Sequence, residues 1–195
     1  MKTIGTVLLL AIALSAAAAD EPKKPADFKG AATMCPGSYA LCIKAPCAKK
    51  PDSNDLYPCQ CVMQSGWNMG PNSCEDRLKN LTSTYSNNFN LGSATVSCTT
   101  PTPWAWCYGA KCEKDPNDPT KAICKCPVKN TPTVILVSQE RCPDKNKICG
   151  MLWSGALPRE SKFANEYYYW WMTKNGHESN LPAQACPTPP SKPSK

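Results

Sequence analysis

The sequence predicts a small disulfide-rich fold, mainly β, with two tandem hairpin units and a C-terminal segment carrying a short helix. Three observations predict it. The chain holds 14 cysteines in 195 residues. One cysteine frame, C-x4-C-x11-C-x-C, occurs twice, in CIKAPCAKKPDSNDLYPCQC from Cys42 and in CYGAKCEKDPNDPTKAICKC from Cys107. Prolines number 20 and strongly apolar runs are short, so the core is too small to hold the chain without cross-links.

The first residues set the compartment. MKTIGTVLLLAIALSAAAADEP places Lys2 before an apolar run from Ile4 to Leu14, then Ala17, Ala18 and Ala19 before Asp20. This is the layout of a secretory signal over residues 1–19, with cleavage expected after Ala19 and a secreted or periplasmic mature chain. The stretch is shorter than the ~20 apolar residues a membrane span requires. The longest later run, Val134 to Val137, is strand-sized, so no membrane span is expected. In an oxidising compartment an even cysteine count reads as a disulfide framework. Each bridge stabilises by about 2–4 kcal/mol.

Residues 20–34 are polar and proline-bearing and read as a flexible lead. Cysteine-rich repeat 1 follows over 35–74, with Cys35, Cys42, Cys47, Cys59, Cys61 and Cys74. Residues 75–97 read as a linker rich in Ser, Thr and Asn. It holds a helical turn near Glu75–Leu81, a glycosylation sequon at Asn80, and a strand from Ala94 entering Cys98. Repeat 2 occupies 98–142, with Cys98, Cys107, Cys112, Cys124, Cys126 and Cys142. Flanking residues align as well: Tyr39-Ala40-Leu41 over Trp104-Ala105-Trp106, Ala45 over Ala110, Lys49 over Lys114, Pro51 over Pro116. Framework positions match while outer spacings drift, which marks an internal duplication with variable loops.

Each copy reads as a two-stranded ribbon. KKPDSND and EKDPNDPT hold the Pro, Asp and Asn that turns favour. In each C-x-C pair both sulfurs point to one face of an extended strand. Cys149 and Cys186 remain, and are expected to pair and clamp an aromatic C-terminal segment over 143–186. Within it Phe163, Tyr167, Trp170 and Trp171 fall at helical spacing, and Asn175-Gly176 suits a helix end. Residues 187–195 form a Pro/Lys tail expected to be disordered.

The order C-x6-C-x4-C-x11-C-x-C-x12-C, with Gly66-Trp67 and Gly70 after the fifth cysteine, resembles the epidermal-growth-factor-like module. The resemblance implies bridges Cys35–Cys47, Cys42–Cys59 and Cys61–Cys74. In the second copy it implies Cys98–Cys112, Cys107–Cys124 and Cys126–Cys142. That copy lacks the Gly-aromatic pair. The ribbon read by itself would instead set Cys47 against Cys59 and Cys112 against Cys124. Spacing does not choose between them.

Composition excludes several functions. The net charge of +7 comes from lysines spread along the chain rather than from clustered arginines, which argues against a nucleic-acid partner. No C-x2-C pair is present, so neither a zinc site nor a redox motif is expected, and no cofactor is implied. The single histidine, His177, stands in a glycine-containing turn. No G-x-S-x-G or H-E-x-x-H motif occurs, and no catalytic residues are assigned. The candidate contact surface is aromatic: Trp104, Trp106 and Tyr108 at strand spacing, and Tyr167, Trp170 and Trp171 near the C-terminus. Such rings suit a protein or carbohydrate ligand. The expected function is therefore non-catalytic, in binding, adhesion or structural support. A secreted hydrolase, or a hydrolase inhibitor presenting the loop AKKPDSND, is the alternative.

Overall fold

The computed structural model describes residues 24–25, 32–48, 55–87, 94–99, 102–138, 144–179 and 184–185. The expected signal, most of the lead, most of the first hairpin turn, Cys142, Cys186 and the tail lie outside them. Among the described residues no helix is long and apolar enough to cross a membrane.

The first copy runs β1 (Thr33–Cys35), β2 (Ser38–Leu41), β3 (Leu56–Ser65), β4 (Asn68–Gly70) and α1 (Cys74–Lys79). The second runs β5 (Ala94–Cys98), β6 (Thr102–Ala105), β7 (Cys112–Lys114), β8 (Lys121–Thr131), β9 (Val134–Ser138) and α2 (Lys145–Cys149). Helix α3 (Pro158–Lys174) and β10 (Gln184–Ala185) follow. The mainly β, cysteine-rich class and the C-terminal helix are as the sequence predicts. Turn chemistry is legible in the second hairpin, where Asp115 Oδ1 accepts Asn117 N–H and Asp118 Oδ1 accepts Thr120 N–H, the local bonding for which turns select Asp. Hydrogen bonds from Thr120 hold the Asp118 carboxyl below its ordinary range.

The two copies meet along one antiparallel seam. Strands β2, β3, β8 and β6 form a sheet in that order, with β7 also on β8. On the seam Cys59 lies opposite Cys124, Tyr57 opposite Cys126 and Cys61 opposite Ala122. Cys59 and Cys124 are the same position of the frame in the two copies. A local two-fold axis therefore passes between them, and the contact is isologous, as in a symmetric dimer. Each copy repeats the same registers outward: Ala40 faces Met63 as Ala105 faces Val128. Likewise Met34 faces Met69 as Ser97 faces Ile135.

The bridges follow the ribbon and not the growth-factor-like order. Cys47 pairs with Cys59 and Cys112 with Cys124, at Cα separations of 3.9 and 4.0 Å. Cys42 pairs with Cys61 and Cys107 with Cys126. Cys35 pairs with Cys74 and Cys98 with Cys149. Directly opposed strand residues lie closer than any other partners, so hairpin pairing decides the inner bridges. The expected Cys149–Cys186 clamp is corrected for a related reason. Helix α2 packs on β5 and brings Cys149 within 5.6 Å of Cys98, Cα to Cα.

The correspondence also runs past Cys142. Ser73 and Asp144 cap α1 and α2 with their side chains, satisfying N–H groups left open at a helix start. After each helix a short segment crosses to the other copy. Leu81 O accepts Cys112 N–H, and Leu152 O accepts Cys47 N–H. Ser83 N–H donates to Ala110 O, and Ser154 N–H to Ala45 O. Residues 81–85 and 152–156 thus lace the copies together reciprocally. Residues 75–85 of what reads as linker are part of the repeated unit.

Among the described residues helix α3 has no counterpart in the first copy. Leu157 precedes it, Pro158 opens it, and the Glu160 carboxylate accepts the Leu157 N–H. That arrangement closes a helix N-terminus without a side-chain donor or acceptor at the cap itself. Asn175 and Gly176, at φ 72°, end it, as expected of a left-handed cap. Its inner face sets Tyr168 and Met172 against Met69, Met34 and Trp67 of the first copy.

Candidate binding cavity

The expected aromatic surface divides in three. Trp104 is 2% exposed and packs with Val134, Leu136 and Ile148, its Nε1–H donating to Thr131 Oγ1. It is core. Trp106 and Tyr108 are half-buried and continue from it as a tilted row, with ring centroids 5.8 and 6.1 Å apart. The alternation read as one strand face does bring the three rings together. Only the outer two reach a cavity. On α3 the half-buried Phe163 stacks on Tyr167 at 5.3 Å, and Trp170 lies tilted to Tyr167 at 5.5 Å. Trp171 instead turns towards Trp67, at 4.7 Å.

A cavity of about 110 Å³ opens between the copies. Its walls come in matched pairs: Leu41 with Trp106, Ile43 with Tyr108, and Met69 with Ile135. The laced segments supply Ser83 and Ser154, Thr84 and Gly155, and Tyr85 and Ala156. The match follows from registers, because Met69 exchanges hydrogen bonds with Tyr85 as Ile135 does with Ala156. The disulfides at Cys42 and Cys107 stiffen the wall. Helix α3 breaks the symmetry, bringing Glu160, Ser161, Phe163 and Ala164 to one side. The space approaches that of the ~150 Å³ apolar cavities that admit benzene.

The polar groups are few and constrained. Burial pushes the Tyr85 and Tyr108 hydroxyls up, so both stay neutral donors over the working range. Tyr85 OH faces the side-chain oxygens of Asn87 and Asn165. Thr84 is 4% exposed and its Oγ1 is buried with no hydrogen-bond partner, an arrangement that a native interior seldom leaves uncompensated. Desolvation raises the Glu160 carboxyl above its ordinary range, partly offset by the Leu157 N–H. Lys44 also lines the cavity, with its ammonium 5.9 Å from the centre of the Trp153 ring.

Other chemistry is placed elsewhere. Sulfurs of Cys42, Cys61 and Cys124 gather within 4.8 Å of one another, as do those of Cys59, Cys107 and Cys126. Every one is in a disulfide, and metal ligation by cysteine requires the thiolate. His177 stacks on Trp171 at 5.8 Å and lies 5.0 Å from Trp67. It lines neither of the two cavities described in the fold, so the carboxylate of Glu160 and the imidazole belong to different places.

Sequence reasoning reached Trp106, Tyr108 and Phe163, and missed Met69, Ile135, Thr84 and Glu160. Between the laced segments LTSTY and LWSGA only Leu and Ser agree, too little to extend a repeat recognised by cysteines. The chain matches no family model, and no curated protein and no solved structure matches it either.

Proposed function

We propose that this disulfide-stabilised chain is exported and acts without catalysis, by binding a ligand group in the cavity between its two copies. The observation that carries this reading is the make-up of the cavity. Mostly apolar and aromatic side chains surround a few fixed polar groups, as in small-ligand sites. Matched walls from both copies, held by bridges at Cys42 and Cys107, hold the shape before binding, which lowers the ordering cost of association. Export fits the apolar run Ile4 to Leu14 and the six disulfides among the described residues, which persist in oxidising compartments.

The test is a titration of the oxidised protein with benzyl alcohol, followed by methyl NMR. Saturable shifts confined to Leu41, Ile43, Met69, Ile135 and Val137 are expected, and Trp106→Ala should weaken them severalfold. Shifts scattered over the surface, or none at all, would remove the cavity as the contact site.

A further inference from the structure

We infer that the ligand group this cavity selects is an organic ammonium carried on a ring-sized apolar body, an arylalkylamine or an equivalent amine. The inference rests on the binding reading above and names the chemistry of its ligand.

The lining of one side carries the argument. Trp106, Tyr108 and Phe163 present aromatic rings to the cavity, and Glu160 brings a carboxylate to it from the first turn of α3. Ring faces attract cations, and the attraction grows where water is excluded. Glu160 Oε2 accepts the Leu157 N–H at 3.1 Å. Among the described residues that bond, and no cation, offsets the cost of burying the carboxylate. The one basic group in the lining, Lys44, is drawn towards Trp153. Tyr85 and Tyr108 are neutral, and the cysteines are oxidised. A cation entering here meets a partly buried carboxylate and aromatic rings. An anion meets the same carboxylate as repulsion. The apolar walls from Ile43, Met69 and Ile135 then take the body of the ligand.

Three probes of one size separate these terms: phenethylamine, 2-phenylethanol and phenylacetate, each titrated into the oxidised full chain by NMR. The amine is expected to bind roughly tenfold more tightly than the alcohol, and the carboxylate most weakly. Glu160→Gln keeps the capping geometry, since Gln serves at that position as Glu does, and should bring amine and alcohol to equal affinity. Amine binding should also weaken as pH falls through the raised Glu160 range, and this dependence should vanish in Glu160→Gln. Equal binding of all three probes at the cavity methyls would overturn the ammonium selectivity and leave the cavity reading standing. Preference for phenylacetate would overturn it in favour of Lys44. No shift at the cavity methyls with any probe would overturn both.

Discussion

The two copies share one backbone plan and fill it differently. In the first, α1 buries Arg77, whose Nη1 donates to Asn68 Oδ1 at 2.7 Å and whose Nη2 donates to Thr33 O. In the second, the corresponding place on α2 holds Ile148, packed with Val134 at the place of Asn68. Desolvation lowers the Arg77 pKa, a sign that its charge is held at a cost. A second exchange lies beside the cavity. A side chain at Gly70 would meet Thr84 Cγ2 at 2.7 Å, and one at Gly155 would meet Leu136 Cδ2 at 2.8 Å. Gly70 corresponds to Leu136 and Thr84 to Gly155, so small and large have traded places across one contact. The outer bridge has moved too. It leaves the first residue of α1 and the last of α2. The place matching Cys149 is Leu78, one helical turn from Cys74 and on the same face, and Leu78 is 79% exposed. Backbone pairing and the two inner bridges of each copy hold the plan, and at these two places the side chains vary in compensating pairs.

The largest effect should come from breaking such a pair. Asn68→Val takes a side-chain acceptor from the buried guanidinium and the two amide donations to Cys35 O and Gly66 O, and should cost about 3–5 kcal/mol in denaturation with bridges intact. Adding Arg77→Ile reproduces the filling of the second copy and should recover most of that loss. A double variant as unstable as the single would show that the copies differ in more than this pair.

Next come the bridges. Replacing Cys98 and Cys149 with Ala opens a loop with sequence separation 51 and should cost about 2–4 kcal/mol. Replacing Cys47 and Cys59, at separation 12, should cost about 1 kcal/mol less by the loop-length dependence. Equal or reversed losses would mean that the stacked inner bridges contribute as core packing. Smaller again is the steric exchange. Gly155→Thr imports the residue of the first copy and should cost about 1–3 kcal/mol by overpacking. Leu136→Ala should then be less damaging in that background than alone, a coupling that a double-mutant cycle measures.

The smallest effect is a pH dependence confined to the asymmetric helix. Glu160 has a raised folded pKa, so the folded chain binds its proton more readily than the unfolded chain does. Its contribution to stability is fully present below the unfolded value and is lost as pH rises through the folded one. Denaturation midpoints of wild type and Glu160→Gln should therefore converge at low pH and separate, with Gln the more stable, as pH rises. A gap that stays constant with pH would assign the difference to the helix cap alone.

Much of this was legible in residue types and spacing. The duplication, the ribbons, the turn at Asp115–Thr120 and the C-terminal helix follow from local rules: strand alternation, turn-forming Asp and Pro, helical spacing with Asn175-Gly176 at its end. Direct opposition of Cys47 with Cys59 was open to the same reasoning, because a hairpin brings together residues equally far from its turn. The partner of Cys149 was not. It depends on where α2 lands against β5, and helix packing is set by contacts among residues far apart in the chain. The cavity was least legible of all. Its walls are pairs such as Met69 with Ile135, which become neighbours only when β3 and β8 join at Cys59 and Cys124 and the laced segments cross. Glu160 reads in the sequence as a helix-start carboxylate. Its place in a partly buried, ring-lined space is conferred by the packing of α3 across the two copies. Local geometry is encoded within a few residues; the site is a juxtaposition of distant ones, and only the tertiary fold makes it.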